Sequence, residues 1–543
     1  MFCRQCEQAQ NGSGCHLFGV CGKSPQVAAL SDLLLLALRG LAATAKIARN
    51  LGQPDLSTDR FLAKALNATI ANVNFDPESL SALIEEAAKI RAQLRDKLTP
   101  PTAVAKTSTR PVIPTLARQS RRLGLVEKRP LSGFMSPQAQ SLRETALYGL
   151  EGLAAYAYQA HKLGYEDDSL YSFLEQILDQ SRDDSLNSED WLNLTFQVGE
   201  KNLLALELLD TAHTQAFGAP CPTQVSLGHR KGPAILISGH DLNDLGHLIP
   251  QAQAMGVNIY THGEMLTAHG YPALQPGLAG HYGSAWPNQT KELAKFPGPI
   301  VFTSDCIQRP ADSYKERVFT VSPVGWPGVK KIETGPDGYL VYGPALTMAQ
   351  DKGGYLRDKS GESITVGWGW SAFLGEIDKI KNLVKEGRIR RFILVGGCDG
   401  PRTERSYFRE LVAMSPPDTL IMTLGCGKFR FIDLDLGDID GLPRLFDLGQ
   451  CNDVFSAIMI VMSLAEEFDA SVNNLPLSLV LSWHNQKACA ILLSLLSLGI
   501  KNIRLGPSSP AFMHHDILEY LFEGRDIALT TSPQADLQAM LNH

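Results

Sequence analysis

The 543-residue sequence has no long run of lysine or arginine, and its formal charge of −7 argues against nucleic acid as the main partner. No apolar stretch reaches bilayer length; Ala488 to Ile500 is the longest and reads as a buried helix, so no membrane partner is expected. A secretory leader is missing too, because Cys3, Arg4 and Cys6 stand where its basic and apolar segments belong. This predicts a cytoplasmic chain, in which ten cysteines read as thiols or metal ligands and not as a disulfide framework. There is no Gx4GK[ST] phosphate loop and no strand-borne GxGxxG. Gly22-Lys23-Ser24 imitates the tail of such a loop, but Leu17 occupies the place of its first glycine. What remains is ample apolar residue, 44 %, in a length suited to two to four domains.

Between Arg391 and Asp453 three cysteines recur in one setting: Arg391-Phe-Ile-Leu-Val-Gly-Gly-Cys398, Thr419-Leu-Ile-Met-Thr-Leu-Gly-Cys426 and Pro443-Arg-Leu-Phe-Asp-Leu-Gly-Gln-Cys451. Short apolar runs that stop at glycine read as buried parallel strands. In a doubly wound sheet the loops at their carboxyl ends share one crevice, where ligands bind. Three thiols delivered there point to a metal site.

The chain opens on Cys3-x2-Cys6-x8-Cys15-x5-Cys21, four thiols among four glycines. Glycine lets such a loop wrap, and four thiolates complete a tetrahedral zinc or an iron–sulfur cluster; spacing alone leaves both open. From Ser31 to about Ala216 the periodicity is helical, with Leu34, Leu38, Leu41, Ala42 and Ala45 on one face. A repeat appears, since Leu38-Arg-Gly-Leu-Ala-Ala43 returns as Leu150-Glu-Gly-Leu-Ala-Ala155, an offset of 112. Two related helical bundles are expected, joined by Thr99 to Pro137, with Ser141-x-x-Glu144 as a capping box opening the second. Apart from the cysteine loop, they read as scaffold.

At Cys221 the period changes. Strands ending at His240, at His262-Gly-Glu264 and at Cys306 make one α/β unit, and Glu333 to Ile364 reads as a weakly organised boundary. A further α/β unit begins near Thr365, and its last strand, Ser478 to Trp483, leads into His484-Asn485-Gln486-Lys487. The expected division is 1–220 helical, 221–364 α/β and 365–543 α/β. His262, His269 and His281 read as structural, and Cys221 and Cys489 as small hydrophobes. Four cysteines, a histidine and a glutamate at six strand ends suit iron better than closed, four-coordinate structural zinc.

Together, the cysteine loop and the segments at His240, Glu264, Cys306, Cys398, Cys426 and Cys451 closely resemble the hybrid cluster (prismane) proteins, or hydroxylamine reductases, over the whole chain. The resemblance implies a helical domain followed by two Rossmann-like domains, related to carbon monoxide dehydrogenases. It implies a [4Fe–4S] cluster on Cys3, Cys6, Cys15 and Cys21, and a hybrid [4Fe–2O–2S] cluster on His240, Glu264, Cys306, Cys398, Cys426 and Cys451. Cys398 matches a cysteine that is a persulfide in the family. The seventh ligand of the family is a glutamate, and here Asn485 stands in its place with a neutral amide oxygen. The expected result is a second cluster held less tightly or short of an iron: Asn485 binds weakly, water replaces it, or His484 swings in. The last is least favoured, because neighbours at a strand end point apart.

The activity implied is reduction of hydroxylamine, or of nitric oxide and related nitrogen oxides, with His240, Glu264 and Lys487 as candidate proton donors. Lacking a flavin or nicotinamide motif, the chain needs a separate electron donor, a flavin or iron–sulfur reductase linked to NADH. The alternative is a nitrosyl or redox sensor, or an electron carrier, whose altered second site no longer turns over. A carbon monoxide dehydrogenase is a third reading, distinguished by nickel.

Overall fold

The computed structural model describes residues 1–98, 135–304 and 306–542. Three helices, α1 (Pro25–Asn50), α2 (Leu56–Asn67) and α3 (Pro77–Lys97), are followed by α4 (Pro137–Lys162), α5 (Asp168–Gln180) and α6 (Ser188–Phe217). The repeat is visible in the caps. Helices α1 and α4 each run 26 residues from a Ser-Pro-Gln start, and Ser24 and Ser136 accept the backbone N–H of Val27 and Ala139. The capping box expected at Ser141 is therefore corrected: Pro137, with its helical φ preset, has already opened the helix. Ser141 instead donates its hydroxyl to the Phe512 carbonyl at 3.0 Å, and Glu144 pairs with Arg4 at 2.8 Å. The two copies interlock, α1 packing on α5 and α2 on α4. Most of the joining stretch, up to residue 134, lies outside the described residues.

Helix α1 also corrects the expectation that no apolar stretch reaches bilayer length, since its length and composition would suffice. However, 67 % of its most apolar window is buried inside the protein. Leu34, Leu38, Leu41, Ala42 and Ala45 are all buried against neighbouring helices.

Strand β1 (Thr223–Ser226) begins the α/β region. Five parallel strands and a short edge strand follow: β2 (Ala234–Gly239), β3 (Asn258–His262), β4 (Leu278–His281), β5 (Ile300–Thr303), β6 (Val318–Thr320) and β7 (Lys330–Lys331). Their order is β4-β3-β2-β5-β6-β7. Strand β8 (Ser363–Val366) pairs antiparallel with β1, so it crosses the expected boundary at 364/365. Glu333 to Ile364 is better organised than expected, because its helix Gly343–Lys352 packs on β2.

The second sheet contains β9 (Arg391–Gly397), β10 (Thr419–Thr423), β13 (Leu445–Asp447), β14 (Leu477–Ser482), β15 (Ile503–Gly506) and β16 (Ile527–Leu529). A small hairpin of β11 (Asp438–Ile439) and β12 (Leu442–Pro443) interrupts the series. The order β13-β10-β9-β14-β15-β16 repeats that of the first sheet. Both sheets wind outward in opposite directions from their first strand, which leaves a crevice between β2 and β5 and between β9 and β14. At each crevice the chain needs glycine. A Cβ on Gly239 would lie 1.7 Å from the Thr303 carbonyl oxygen, and one on Gly397 would lie 2.1 Å from that of Ser482.

Among the other helices, three follow strands that end at the cavity: α7 (Leu242–Ala254) after β2, α8 (Val454–Glu467) after β13 and α9 (Gln486–Ser497) after β14. Helix α9 packs on both α4 and α6, and so seats the second sheet on the helical region. The approach is close enough that a Cβ on Gly199 would meet the Leu493 carbonyl oxygen at 2.2 Å. Gly199→Ala should push α9 outward and destabilise the protein by about 1–3 kcal/mol, as overpacking does. A lowered thermal midpoint checks this; an unchanged midpoint would refute the seating role.

Candidate metal centre

The N-terminal loop gathers its thiols by backbone hydrogen bonding. Cys3 and Cys15 donate to one another's carbonyls at 3.1 and 2.8 Å, and Gly19 N–H donates to the Lys23 carbonyl at 2.8 Å, folding Cys21 back. Cys6 and Cys15 are buried, and none of the cysteines forms a disulfide among the described residues. Burial pushes the Cys3 thiol up to about 11 and the Cys6 thiol well above its ordinary value. Lys23 is also buried and donates from Nζ to Gln5 Oε1 at 2.9 Å. Burial works against its charge, yet Cys3, Cys21, Cys6 and Asp32 together raise its pKa. Buried thiolates need cations around them. Lys23 supplies one, and a cluster held by the four thiols would supply the rest.

The second site lies where the two crevices face each other. His240, Glu264, Cys306, Cys398, Cys426, Cys451, Asn485 and Lys487 all line one cavity. Each of the first seven follows a strand: β2, β3, β5, β9, β10, β13 and β14 in turn. Ligand atoms of His240, Glu264 and Cys451 lie within 4.8 Å of one another. Hydrogen bonds hold the loops in register. The His240 N–H donates to Ser304 Oγ at 2.8 Å, the Cys451 N–H to Glu264 Oε2 at 2.8 Å and the Cys398 N–H to the Ser482 carbonyl at 3.2 Å. Ser304 and Cys306 adopt left-handed φ of 68° and 67°, a conformation that costs about 1–2 kcal/mol for a non-glycine residue and that surrounding structure must enforce.

The donors crowd one another electrostatically. Burial pushes the Cys426 thiol well up, and Glu264, Cys306, Cys398 and Cys451 push it further. Burial raises Glu264 as well, against Lys428 and His240. Glu264 Oε1 is buried without a hydrogen-bond partner among the described residues. Such a set is stable either protonated or around bound cations. Soft sulfur beside imidazole and carboxylate fits iron in a mixed sulfur and oxygen environment. Lys428, fully buried, donates to Asp447 at 2.7 Å and to the Gly449 carbonyl at 2.9 Å, tying the loop after β10 to that after β13. Away from the donors the cavity is walled by apolar side chains, among them Leu394, Val461, Leu492 and Phe512.

Lys487 is buried: its Nζ donates to Asn452 Oδ1 at 3.2 Å and sits 5.5 Å from the Tyr156 ring centroid. Asn485 lines the cavity, but its Oδ1 accepts the Lys487 N–H at 3.2 Å and so caps α9. His484 is turned toward Asn72, at 2.8 Å, and Glu7, at 3.5 Å. His262, His269 and His281 are engaged by Ser238, Glu292 and Thr261, as structural histidines are. Cys489 is buried in α9, its Sγ 3.8 Å from the Thr145 carbonyl. Cys221 is corrected: it is exposed, because it lies in the surface turn before β1.

Several functional neighbours have no local signal. Glu7, beside Cys6, is fully buried against Arg405 at 2.5 Å, and Arg405 donates to the carbonyls of Cys398 and Trp483 at 2.7 and 3.0 Å. One ion pair therefore joins the two cysteine sites. Gln159 of α4 accepts from Asn452 at 2.6 Å, and Lys162 pairs with Asp241 at 2.6 Å, so the second helical copy is more than scaffold. Lys23 and Lys428 each stand two residues after a cysteine, Cys21 and Cys426, just beyond the motifs.

The Prismane/CO dehydrogenase family matches residues 1–538. Hydroxylamine reductases from Syntrophobacter fumaroxidans and Methanocella arvoryzae are each 46 % identical, over 100 % of this chain and of their own. Carbon monoxide dehydrogenase IV from Carboxydothermus hydrogenoformans shares the fold, with a TM-score of 0.56 at 16 % identity over 97 % of this chain and 89 % of its own.

Glu151 of α4 is near Lys23, which follows the first cysteine loop, and Gln486, which follows Asn485. Burial pushes its carboxyl up to about 8, opposed by Lys23, Thr69, Gln486 and Arg39. Its folded pKa is raised, so its contribution to stability is complete below the ordinary value of 4.5 and is lost as pH rises through about 8. The thermal midpoint should therefore fall between pH 5 and 8, and Glu151→Gln should flatten that fall. Parallel pH profiles for the two proteins would contradict the assignment.

Proposed function

Because the chain belongs to the Prismane/CO dehydrogenase family, we propose that it reduces hydroxylamine to ammonia and water, with nitric oxide and related nitrogen oxides as further substrates. One observation carries the reading: His240, Glu264, Cys306, Cys398, Cys426 and Cys451, spread over more than two hundred residues, line a single cavity. These six would hold a hybrid [4Fe–2O–2S] cluster, and Cys3, Cys6, Cys15 and Cys21 a [4Fe–4S] cluster. When bound, such clusters supply electrons and a Lewis-acid position.

The protein's own groups do the rest. The apolar wall keeps the cavity dry, which leaves protons to come from side chains. Lys487, held by Asn452 against Tyr156, is the cation placed to give one. Asn452 is in turn held by Gln159, which fixes the ammonium position. Glu264 orients the Cys451 loop through its backbone N–H. Asn485 spends its oxygen on the α9 cap, so it would offer a cluster little as a ligand. Electrons originate from a separate NADH-linked flavin or iron–sulfur reductase in the cytoplasm.

Hydroxylamine-dependent oxidation of a reduced viologen by anaerobically purified protein tests the activity. Cys426→Ser should abolish it. Lys487→Met should lower kcat by about 10²-fold with iron content unchanged, as loss of a general acid does. Equal kcat in that variant would remove Lys487 from the reaction. Asn485→Glu should slow the loss of second-site iron to a chelator, and unchanged kinetics of loss would show that the position holds no metal.

A further inference from the structure

The segment between Cys15 and Cys21 carries a large apolar surface that the other described residues leave uncovered. Leu17 is 86 % exposed, Phe18 54 % and Val20 58 %. Single exposed apolar residues need no explanation, but three within four residues form a patch of the kind that marks a contact surface. The patch is also thin. A Cβ on Gly19 would lie 3.1 Å from Cys21 Sγ, so the loop tip rests directly on the Cys21 thiol. Beside it runs a groove lined by Phe18, Phe75, Trp326, Arg309, Lys315 and Asp312. Phe75 and Trp326 pack there, their rings tilted by 40° with centroids 4.5 Å apart. Two cations against one carboxylate make this groove locally positive on a chain whose formal charge is −7.

We propose that this tip and groove dock an acidic, one-electron iron–sulfur carrier of the ferredoxin type. The apolar tip would displace water where the carrier's cluster comes nearest the four thiols. Arg309 and Lys315 would steer the encounter, since complementary charge acts mainly on association rate. The proposal rests on the reading of Cys3, Cys6, Cys15 and Cys21 as a cluster site. The balance is simple: each docking oxidises one reduced carrier by one electron. Two dockings and two protons convert hydroxylamine to ammonia and water, breaking one N–O bond.

The test uses the anaerobic holoprotein and a reduced plant-type [2Fe–2S] ferredoxin, with bleaching of the N-terminal cluster followed by stopped flow. Arg309→Glu/Lys315→Glu should lower the second-order rate constant at low salt by at least about tenfold and flatten its dependence on ionic strength. Leu17→Ser/Phe18→Ser should slow reduction by ferredoxin at every salt concentration. In both variants reduction by dithionite and iron content should match the parent. Parent-like reduction of both variants by ferredoxin would overturn the docking surface, as would a parent protein that dithionite reduces and ferredoxin does not. A parent without N-terminal iron would instead refute the cluster reading on which the proposal stands.

Discussion

In a parallel sheet every strand runs the same way, so all carboxyl ends lie along one edge and every following loop starts there. The protein has two such sheets with the same strand order, and their crevices face each other. This single topological constraint decides where chemistry can occur. His240 and Cys306 flank the first crevice, after β2 and β5, while Cys398 and Asn485 flank the second, after β9 and β14. Glu264, Cys426 and Cys451 follow the strands next in order and close the ring. The glycines at 239 and 397 play equivalent parts, each allowing the first strand's end to pass close against the fourth.

Facing edges alone would leave a buried crowd of groups that become anionic on ionisation. The arrangement holds because cations and backbone donors are interleaved with them. Lys428 sits between Asp447 and Glu264, Arg405 meets Glu7, and Lys23 lies among the N-terminal thiols. Buried ion pairs of this kind add little net stability, and their use is in specifying one arrangement over others. The Glu7–Arg405 pair has the widest reach, since it bonds the loop of the first site to the carbonyl of Cys398 in the second.

The helical region gains a role from the same packing. Its duplicated halves interlock and grip α9, the helix that carries Asn485 and Lys487 into the cavity. Through Gln159 and Asn452 the second copy also sets the Lys487 ammonium, so the α/β site is completed by side chains from a region without thiols of its own.

Much of this was legible locally. Strand runs that end in glycine and a ligand, the four-cysteine spacing and the 112-residue repeat are short-range patterns, and the backbone geometry that reads them is short-range as well. Where a local pattern misled, a stronger neighbour had prevailed: Pro137 opened its helix before Ser141 could, and α1, apolar enough for a bilayer, found its apolar partners in other helices. The strand at Ser363–Val366 gains its identity only from pairing with β1. By itself, then, the sequence determined which residues, four thiols among them, stand at strand ends. Only the tertiary structure decided that Glu7 meets Arg405, that Lys487 is buried and that Asn485 turns its oxygen to its own helix. Those choices depend on contacts between segments hundreds of residues apart, which no periodicity of 2 or 3.6 records.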